Sequence, residues 1–319
     1  MQTQQQHINE IPVDLIIEIL LRLPTKSIAR CRCVSKFWSA IINRTDFTEL
    51  FMARSQARPQ ILFSFQKSDF FFFLTPQVQN KSSLVAKNHI RLPIDDSYQI
   101  CGPVHGFVCL TNYTSGMKET VSTIYNLSTG QAIHLPNAKR RSNTVKSYLG
   151  FDPIHKQFKV LLITARLGVS DEHQVLTLGT SNPSWRNVKC CCFSYCYTLP
   201  CNAGICINGG LFYVAKVNMD PYLNAIVCFD VKSKKLRIVN KSVDMRLWSD
   251  TTLVNYKGKL GAFVVGCGVA VVTGETTSFE LWVLVDAEKH EWSKHLYVLP
   301  PLWKNVVIES EFILCWGDW

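Results

Sequence analysis

The feature that most restricts this chain is a recurring unit: a β-favouring run ends on Asn or Asp, a short polar turn follows, and a second run returns. Four copies stand in the sequence at uneven spacing, IYNLSTGQAIHLP, GFDPIHKQFKVLLI, VCFDVKSKKLRIV and WVLVDAEKHEWSKHLYV. Each reads as a hairpin. Asn126, Asp152, Asp230 and Asp286 fall at strand ends, where a short amide or carboxylate can bond the backbone of the turn. Gly130 supplies a left-handed position in the first copy and is replaced in the others, so their loops are expected to differ.

The units lie within a longer β-rich region. After Pro59, short β-favouring runs such as ILFSF, FFFFL, GFVCL, QVLTL, GLFYVA, GAFVV and LWVLV alternate with turn residues every ten or so positions, and long helical patterns are absent. Repeated hairpins with little helix point to a propeller, with a β-sandwich-like fold as the alternative. At ~40–50 residues per blade, residues 60–319 make about five or six blades. A chain of 319 residues then divides into a small module and one large all-β unit. With 47% hydrophobic and 18% charged residues it has ample material for a core.

The small module is helical. From Ile11 to Leu23, Ile11, Leu15, Ile16, Ile19, Leu20 and Leu23 recur at three-to-four spacing, with Asp14, Glu18 and Arg22 on the other face. Pro12 fits the first turn and Pro24 ends the helix. Thr25 or Ser27 caps a second helix carrying Ile28, Cys31 and Val34. Ser35 caps a third through Phe37, Trp38, Ile41 and Ile42. A further short helix from Asp46, as its cap, to Ala53 connects this module to the β region. Three helices in under 40 residues cannot bury a full core and carry more apolar positions than one internal face needs, which predicts a partner. The charged residues from Arg22 to Lys36 are all basic (Arg22, Lys26, Arg30, Arg32, Lys36), and would steer an acidic one.

The segment IPVDLIIEILLRLPTKSIARCRCVSKFWSAII closely resembles the F-box. The resemblance implies that Pro12, Leu15, Ile16, Ile19, Leu23, Ile28, Val34 and Trp38 bury against, or frame the surface for, the Skp-type adaptor of a Skp–cullin–F-box ligase, and through it the cullin. A helical cap on the β domain is the plainer reading. Residues 125 to 303 resemble the F-box-associated domain of plant F-box proteins, type 3, through NLSTGQAIHLP, YLGFDPIHKQFKVL, VLTLGTSNPSWRNV, GICINGGLFYVA, VCFDVKSKKLRIV, LVNYKGKLGAF and ELWVLVDAEKHEWSKHLYVLPPLW. That family implies a Kelch-like architecture. The expected organisation is an F-box over 8–48, a helical linker over 49–59 and a β-propeller-like domain over 60–319. Where the family often continues past VVIESEFILCW with a strand pair of the form LYDPKTKK, this chain stops at Gly317-Asp318-Trp319. An incomplete last blade is expected, whether from a truncated gene model or a shortened domain.

The function implied is substrate recognition for a ubiquitin ligase, the F-box holding the adaptor and the β domain holding an unknown target protein. The alternatives are a non-degradative scaffold, and a propeller enzyme or carbohydrate-binding module that has acquired an F-box. Convergent polar groups for catalysis are lacking: His105, His134, His155, His290 and His295 are scattered and read as structural, and Asp95-Asp96 and Asp171-Glu172 as solvated. No enzyme activity and no cofactor are expected. Cys190, Cys191, Cys192, Cys196, Cys201 and Cys206 cluster without a CxxC pair and read as reduced, buried thiols rather than a metal site. A net charge of +10 is spread along the chain, with Lys139-Arg140-Arg141 the densest run, so no nucleic acid is expected. The apolar runs Phe70 to Leu74 and Gly261 to Thr273 are shorter than the ~18–20 residues of a membrane span. The polar start, MQTQQQHINE, has no apolar signal region, so the protein is expected inside the cell, in the nucleus and/or cytoplasm. Trp185, Trp248, Trp282, Trp292, Trp303 and the Phe70–Phe73 run read as strand core. Target contacts are sought in loops at 95–105, 112–120, 137–147, 166–174 and 240–252.

Overall fold

A computed structural model describes residues 11–56, 60–66, 70–76, 87–92, 98–112, 119–127, 129–139, 144–166, 169–188, 194–195, 204–217, 224–248, 251–265, 278–298 and 314–315. The chain divides into two units, Met1–Pro59 and Gln60–Trp319.

The first unit holds four helices, α1 (Val13–Arg22), α2 (Thr25–Cys31), α3 (Lys36–Ile42) and α4 (Thr45–Gln56). Pro12 is the residue before α1 rather than part of its first turn, and its carbonyl accepts from the Leu15 and Ile16 amides. The chain leaves α1 at Leu23 in extended backbone, as Pro24 requires of the residue before it. The expected cap of α2 is corrected. Neither Thr25 nor Ser27 caps it, because the helix starts directly after Pro24, whose carbonyl accepts from Ser27 and Ile28. Ser35 does cap α3, its hydroxyl accepting from the Trp38 amide at 3.1 Å. Asp46 lies inside the first turn of α4, not before it, and pairs with Arg44 at 2.6 Å. Ile16, Leu20 and Leu21 of α1 pack with Ile28, Ile41, Ile42 and Phe47 into one buried cluster, so α4 is part of this core and more than a connection.

Among the described residues the second unit holds five antiparallel sheets of four or five strands, in chain order, and one two-stranded pair, Glu119–Thr120 with Ala138–Lys139. Blade 1 contains Gln60–Gln66, Phe70–Pro76 and Lys87–Leu92. Blade 2 contains Tyr98–Val104, Phe107–Asn112, Ser122–Asn126 and Ala132–His134, and blade 3 Thr144–Asp152, Gln157–Arg166, Val169–Thr177 and Arg186–Val188. Blade 4 contains Ile205–Ile207, Gly210–Val217, Asn224–Asp230 and Leu236–Val239, with Ser194–Tyr195 beside Gly210–Val217. Blade 5 contains Thr252–Tyr256, Lys259–Val265, Ser278–Asp286 and Glu291–Val298. Leu314–Cys315, in the segment VVIESEFILCW, pairs with Leu62 and Phe63 and brings blade 1 to four strands.

The first strands of blades 2 to 5 touch one another, and this makes the arrangement radial: Tyr98–Val104 meets Thr144–Asp152, and Ile205–Ile207 meets both of these and Thr252–Tyr256. Burial follows the same direction. Val145 to Gly150 on an inner strand are all buried, whereas Ala132–His134 on an outer strand is wholly exposed. Blade 4 is covered on both faces. Along Gly210–Val217, Leu211, Tyr213 and Ala215 pack toward blade 3, while Phe212 and Val214 pack with Leu253, Leu260, Ala262 and Trp282 of blade 5. A sheet with two covered faces needs an unbroken apolar run, which is how LFYVA and AIVCF read. This serial packing is that of a propeller rather than of two facing sheets.

The four Asx turns share one geometry. Asn126 accepts from the Thr129 amide, Asp152 from Ile154 and His155, Asp230 from Ser233, and Asp286 from Glu288 and Lys289. In every copy the Asx residue pairs across the hairpin with the residue five positions on. The expectation of differing loops is overturned: Gly130 has φ 77°, and Lys156, Lys234 and His290 hold the same position at φ 52°, 59° and 55°. The side-chain bonds and hairpin closure together impose the left-handed residue, so a non-glycine residue accepts a strain of roughly 1–2 kcal/mol there.

Polar ties join neighbouring blades. Lys159 is buried, bonds Asp152 at 3.1 Å within blade 3, and reaches the Val231 carbonyl of blade 4 at 2.6 Å. Burial alone would raise the Asp152 carboxyl; hydrogen bonds from His155, Lys159 and the Ile154 amide outweigh it and hold the group well below the usual carboxylate range. A carboxylate depressed in the fold stabilises it above the unfolded value of ~3.9 and ceases to do so as the pH falls below it. Asp152→Asn, which leaves Lys159 buried opposite a neutral group, is therefore expected to cost roughly 3 kcal/mol at pH 7. In urea unfolding of the full chain, the gap between variant and parent should close as the pH drops below about 4.

Candidate functional site

The helical unit fills its own core and still presents large apolar side chains to solvent. On α1 the turn of the helix separates them: Ile16, Leu20 and Leu21 point inward, while Leu15 and Ile19, one turn apart, are 55% and 47% exposed. Val34, in the bend between α2 and α3, is 69% exposed, and Phe37 in the first turn of α3 is 52% exposed. Ile11 and Leu50 are also exposed.

The eight residues expected to serve adaptor binding are thus sorted by depth. Pro12, Leu15, Ile19 and Val34 are exposed, Leu23 and Trp38 are half-buried against the core, and Ile16 and Ile28 are buried within it. Sequence reasoning left Phe37, Leu50 and Ile11 out of the set. In the sequence Phe37 stands with Trp38, Ile41 and Ile42 as an apolar position of α3 with no side assigned; the Ser35 cap fixes the start of the helix, and Ile41 and Ile42 take the inward side.

Charge surrounds the apolar surface asymmetrically. No acidic residue lies between Glu18 and Asp46. Glu18 engages Arg22 at 3.5 Å and Arg54 at 3.3 Å, and Asp46 engages Arg44, its carboxyl held low mainly by that hydrogen bond. Lys26, Arg30, Arg32 and Lys36 are exposed, with no ion pair to another described residue. Such a surface can bind by apolar burial and attract negative charge.

In the β domain, the five histidines considered for chemistry each have a structural neighbour. His105 packs edge-on against Phe151 at 4.4 Å, and His134 bonds Thr123. His155 bonds Asp152, His290 accepts from the Asn240 amide at 3.3 Å, and His295 bonds Ser293. Asp95, Asp96 and Asp171 fall, wholly or in their side chains, outside the described residues, as do Cys190, Cys191, Cys192, Cys196 and Cys201; Cys206 bonds the Phe151 backbone. Cys109 is fully buried, which pushes its thiol up to about 11. Among the described residues no group of three or more metal-ligating side chains converges, and no helix is long and apolar enough to cross a membrane.

Two tryptophans expected as strand core have a more specific role. Trp185 donates its indole N–H to the Pro136 carbonyl at 2.7 Å and Trp292 to that of Asn240 at 2.8 Å, each linking one blade to the outer end of the preceding one. Trp282 is core, Trp248 is partly exposed, and Trp303 and the side chains of Phe70–Phe73 lie outside the described residues.

The loop ranges proposed for target contact need correction. Tyr98–Val104 is an inner strand, Thr144–Ser147 begins another, and Val169–Gln174 is a strand of blade 3. Polar residues there made them look like loops, but Ser147 is fully buried and bonds the Thr111 hydroxyl. Of the other proposed ranges, 240–248 contains no strand, and 95–97, 113–118, 140–143, 167–168 and 249–250 lie outside the described residues.

Comparison with known proteins agrees with this architecture. Residues 8–50 match the model of the F-box domain, and residues 60–317 match that of the F-box associated beta propeller domain. The F-box protein At5g65850 of Arabidopsis thaliana is 47% identical, over 93% of this chain and 73% of its own length. The F-box protein DOR of the same plant is 45% identical, over 97% of this chain and 80% of its own. A putative F-box protein, At3g23960, is 44% identical over 94% of this chain and 77% of its own. With both units matched in order and relatives of this identity along nearly its whole length, the chain belongs to the F-box proteins that carry an F-box associated β-propeller domain.

Proposed function

We propose that this chain is the substrate-recognition subunit of a Skp–cullin–F-box ubiquitin ligase, acting inside the cell, in the nucleus, the cytoplasm or both. The helical unit docks on a Skp-type adaptor and through it on the cullin. The propeller holds a target protein. The chain itself is non-catalytic: its contribution is to convert ubiquitin transfer into a reaction between groups held together. The observation that supports this most directly is the exposure of Leu15, Ile19, Val34 and Phe37 on a unit whose own core is already filled. Burying such a set against a groove is a recurring mode of helix recognition, and at ~1.5–3 kcal/mol per fully buried large apolar side chain it is enough to dominate affinity. The basic residues around it favour an acidic adaptor surface by speeding encounter.

On this reading, binding variants and folding variants are expected to differ. Leu15→Ala with Ile19→Ala is expected to weaken co-purification with a Skp-type adaptor by at least about 100-fold in affinity while leaving the unfolding midpoint of the chain nearly unchanged. Ile16→Ala instead removes a buried side chain and should lower stability by ~2–5 kcal/mol. Undiminished adaptor binding by the double variant would overturn the proposal.

The basic residues carry a second expectation. Arg30→Glu with Arg32→Glu should slow adaptor association several-fold at low salt, with a smaller effect at high salt and little change in dissociation, as read by surface-immobilised kinetics. Recognition for degradation also predicts that a captured partner accumulates under proteasome inhibition and falls on release. A partner whose abundance does not respond would point to the scaffold reading.

A further inference from the structure

The outer strand of blade 3, Arg186–Val188, pairs only with His173–Val175, and among the described residues no strand is hydrogen-bonded to its far edge. A cleft of about 420 Å³ opens beside it, between this strand and the last hairpin of blade 4. Its apolar lining comes from Val175, Val188 and Leu236, and its rim from Arg186, Lys234 and Lys235. The cleft lining contains three cations and no carboxylate. The nearest acid on the hairpin, Asp230, is turned into its own loop, where it accepts from the Ser233 amide. Arg186, Lys234 and Lys235 form no ion pair with a described residue, whereas Lys159, Lys289 and Lys294 of the same domain each have a carboxylate partner.

We infer that this cleft is a docking site for an extended acidic peptide that adds as a further strand to the edge of blade 3. Three features converge on that occupant. A strand edge with no described strand on its far side offers backbone hydrogen bonds to an extended chain. An apolar floor flanked by charge suits alternating side chains, every second one on the floor and the others at the cationic rim. The sign of the rim selects Asp or Glu over Lys or Arg, since like charges brought together there would repel. The rim position of Lys234 is set by the hairpin: its left-handed backbone follows from the Asp230 turn, so the cation is held by a fixed loop. The site is on the flank of the propeller and stands whether or not the helical unit recruits an adaptor.

The test uses the full chain and a fluorescein-labelled hexapeptide alternating Glu with Val, followed by fluorescence anisotropy. The parent is expected to bind it at least tenfold more tightly than the same peptide with Lys in place of Glu. Arg186→Glu with Lys235→Glu, both at exposed positions, should lose at least tenfold with an unchanged unfolding midpoint. A peptide N-methylated at alternate residues along one edge should bind at least tenfold more weakly than its unmethylated form, a readout that simple charge attraction does not move. The inference fails if the charge-reversed variant binds as the parent does, if the lysine peptide competes equally, or if the N-methylated peptide retains full affinity.

Discussion

Each inner blade must bury both of its faces, and most of the β domain follows from that requirement. A sheet covered on one side alternates apolar and polar residues; Gly210–Val217 cannot, because its odd positions meet blade 3 and its even positions meet blade 5. Close approach then sets residue size. A Cβ on Gly204 would stand 2.5 Å from the Tyr148 ring and 3.0 Å from the Phe212 carbonyl, and one on Gly150 would meet Val231 at 2.8 Å, so the smallest residue occupies both contacts between blades 3 and 4. Buried hydroxyls on neighbouring strands satisfy one another where they meet, as Thr111, Ser122 and Ser147 do.

Apolar packing alone permits blades to slide, and directional bonds fix how they meet. Lys159 ties blade 3 to the Val231 turn of blade 4, and Asn208 reaches the Gly258 carbonyl in blade 5. The indoles of Trp185 and Trp292 do the same at the outer ends. All of these reach residues about 50 or more positions away along the chain. The two indoles combine a large contact area with a single donor, which suits an oriented joint.

Legibility in the sequence followed the range of the interaction. The Asx turns were readable because the carboxylate or amide bonds amides two or three residues on, and Ser35 as a cap because its partner is Trp38. The left-handed Lys156, Lys234 and His290 were not, since residue preference favours glycine there and hairpin closure overrides it. Side-chain depth in the helical unit was only half legible. The apolar stripe of α1 is broad enough to include Leu15 and Ile16 together. Phe47 of α4 joins the core beside Ile16 and Leu20, and no spacing rule within α1 contains that information. The tryptophan bonds were invisible for the same reason: composition marks an indole as core, and only the fold reveals a carbonyl within reach of its N–H.

The division of charge in the helical unit gives its exposed face a defined character. Two of its acids neutralise arginines near helix ends, Glu18 with Arg22 and Arg54, and Asp46 with Arg44, while Asp14 stays exposed on α1. Of the basic residues, these pairs leave over Lys26, Arg30, Arg32 and Lys36, all on the two short helices or the bend between them. Exposed pairs of this kind add little stability, on the order of 0–1 kcal/mol each. Their larger effect is to offset Glu18 and Asp46, so that the basic run from Lys26 to Lys36, which has no acidic residue within it, is left uncompensated by them. On the proposed function, a partner would be oriented by charge at distances of a Debye length, ~8–10 Å, and retained by Leu15, Ile19, Val34 and Phe37 after water has left. Steering and retention would then be carried by different residues, and each could be altered without the other.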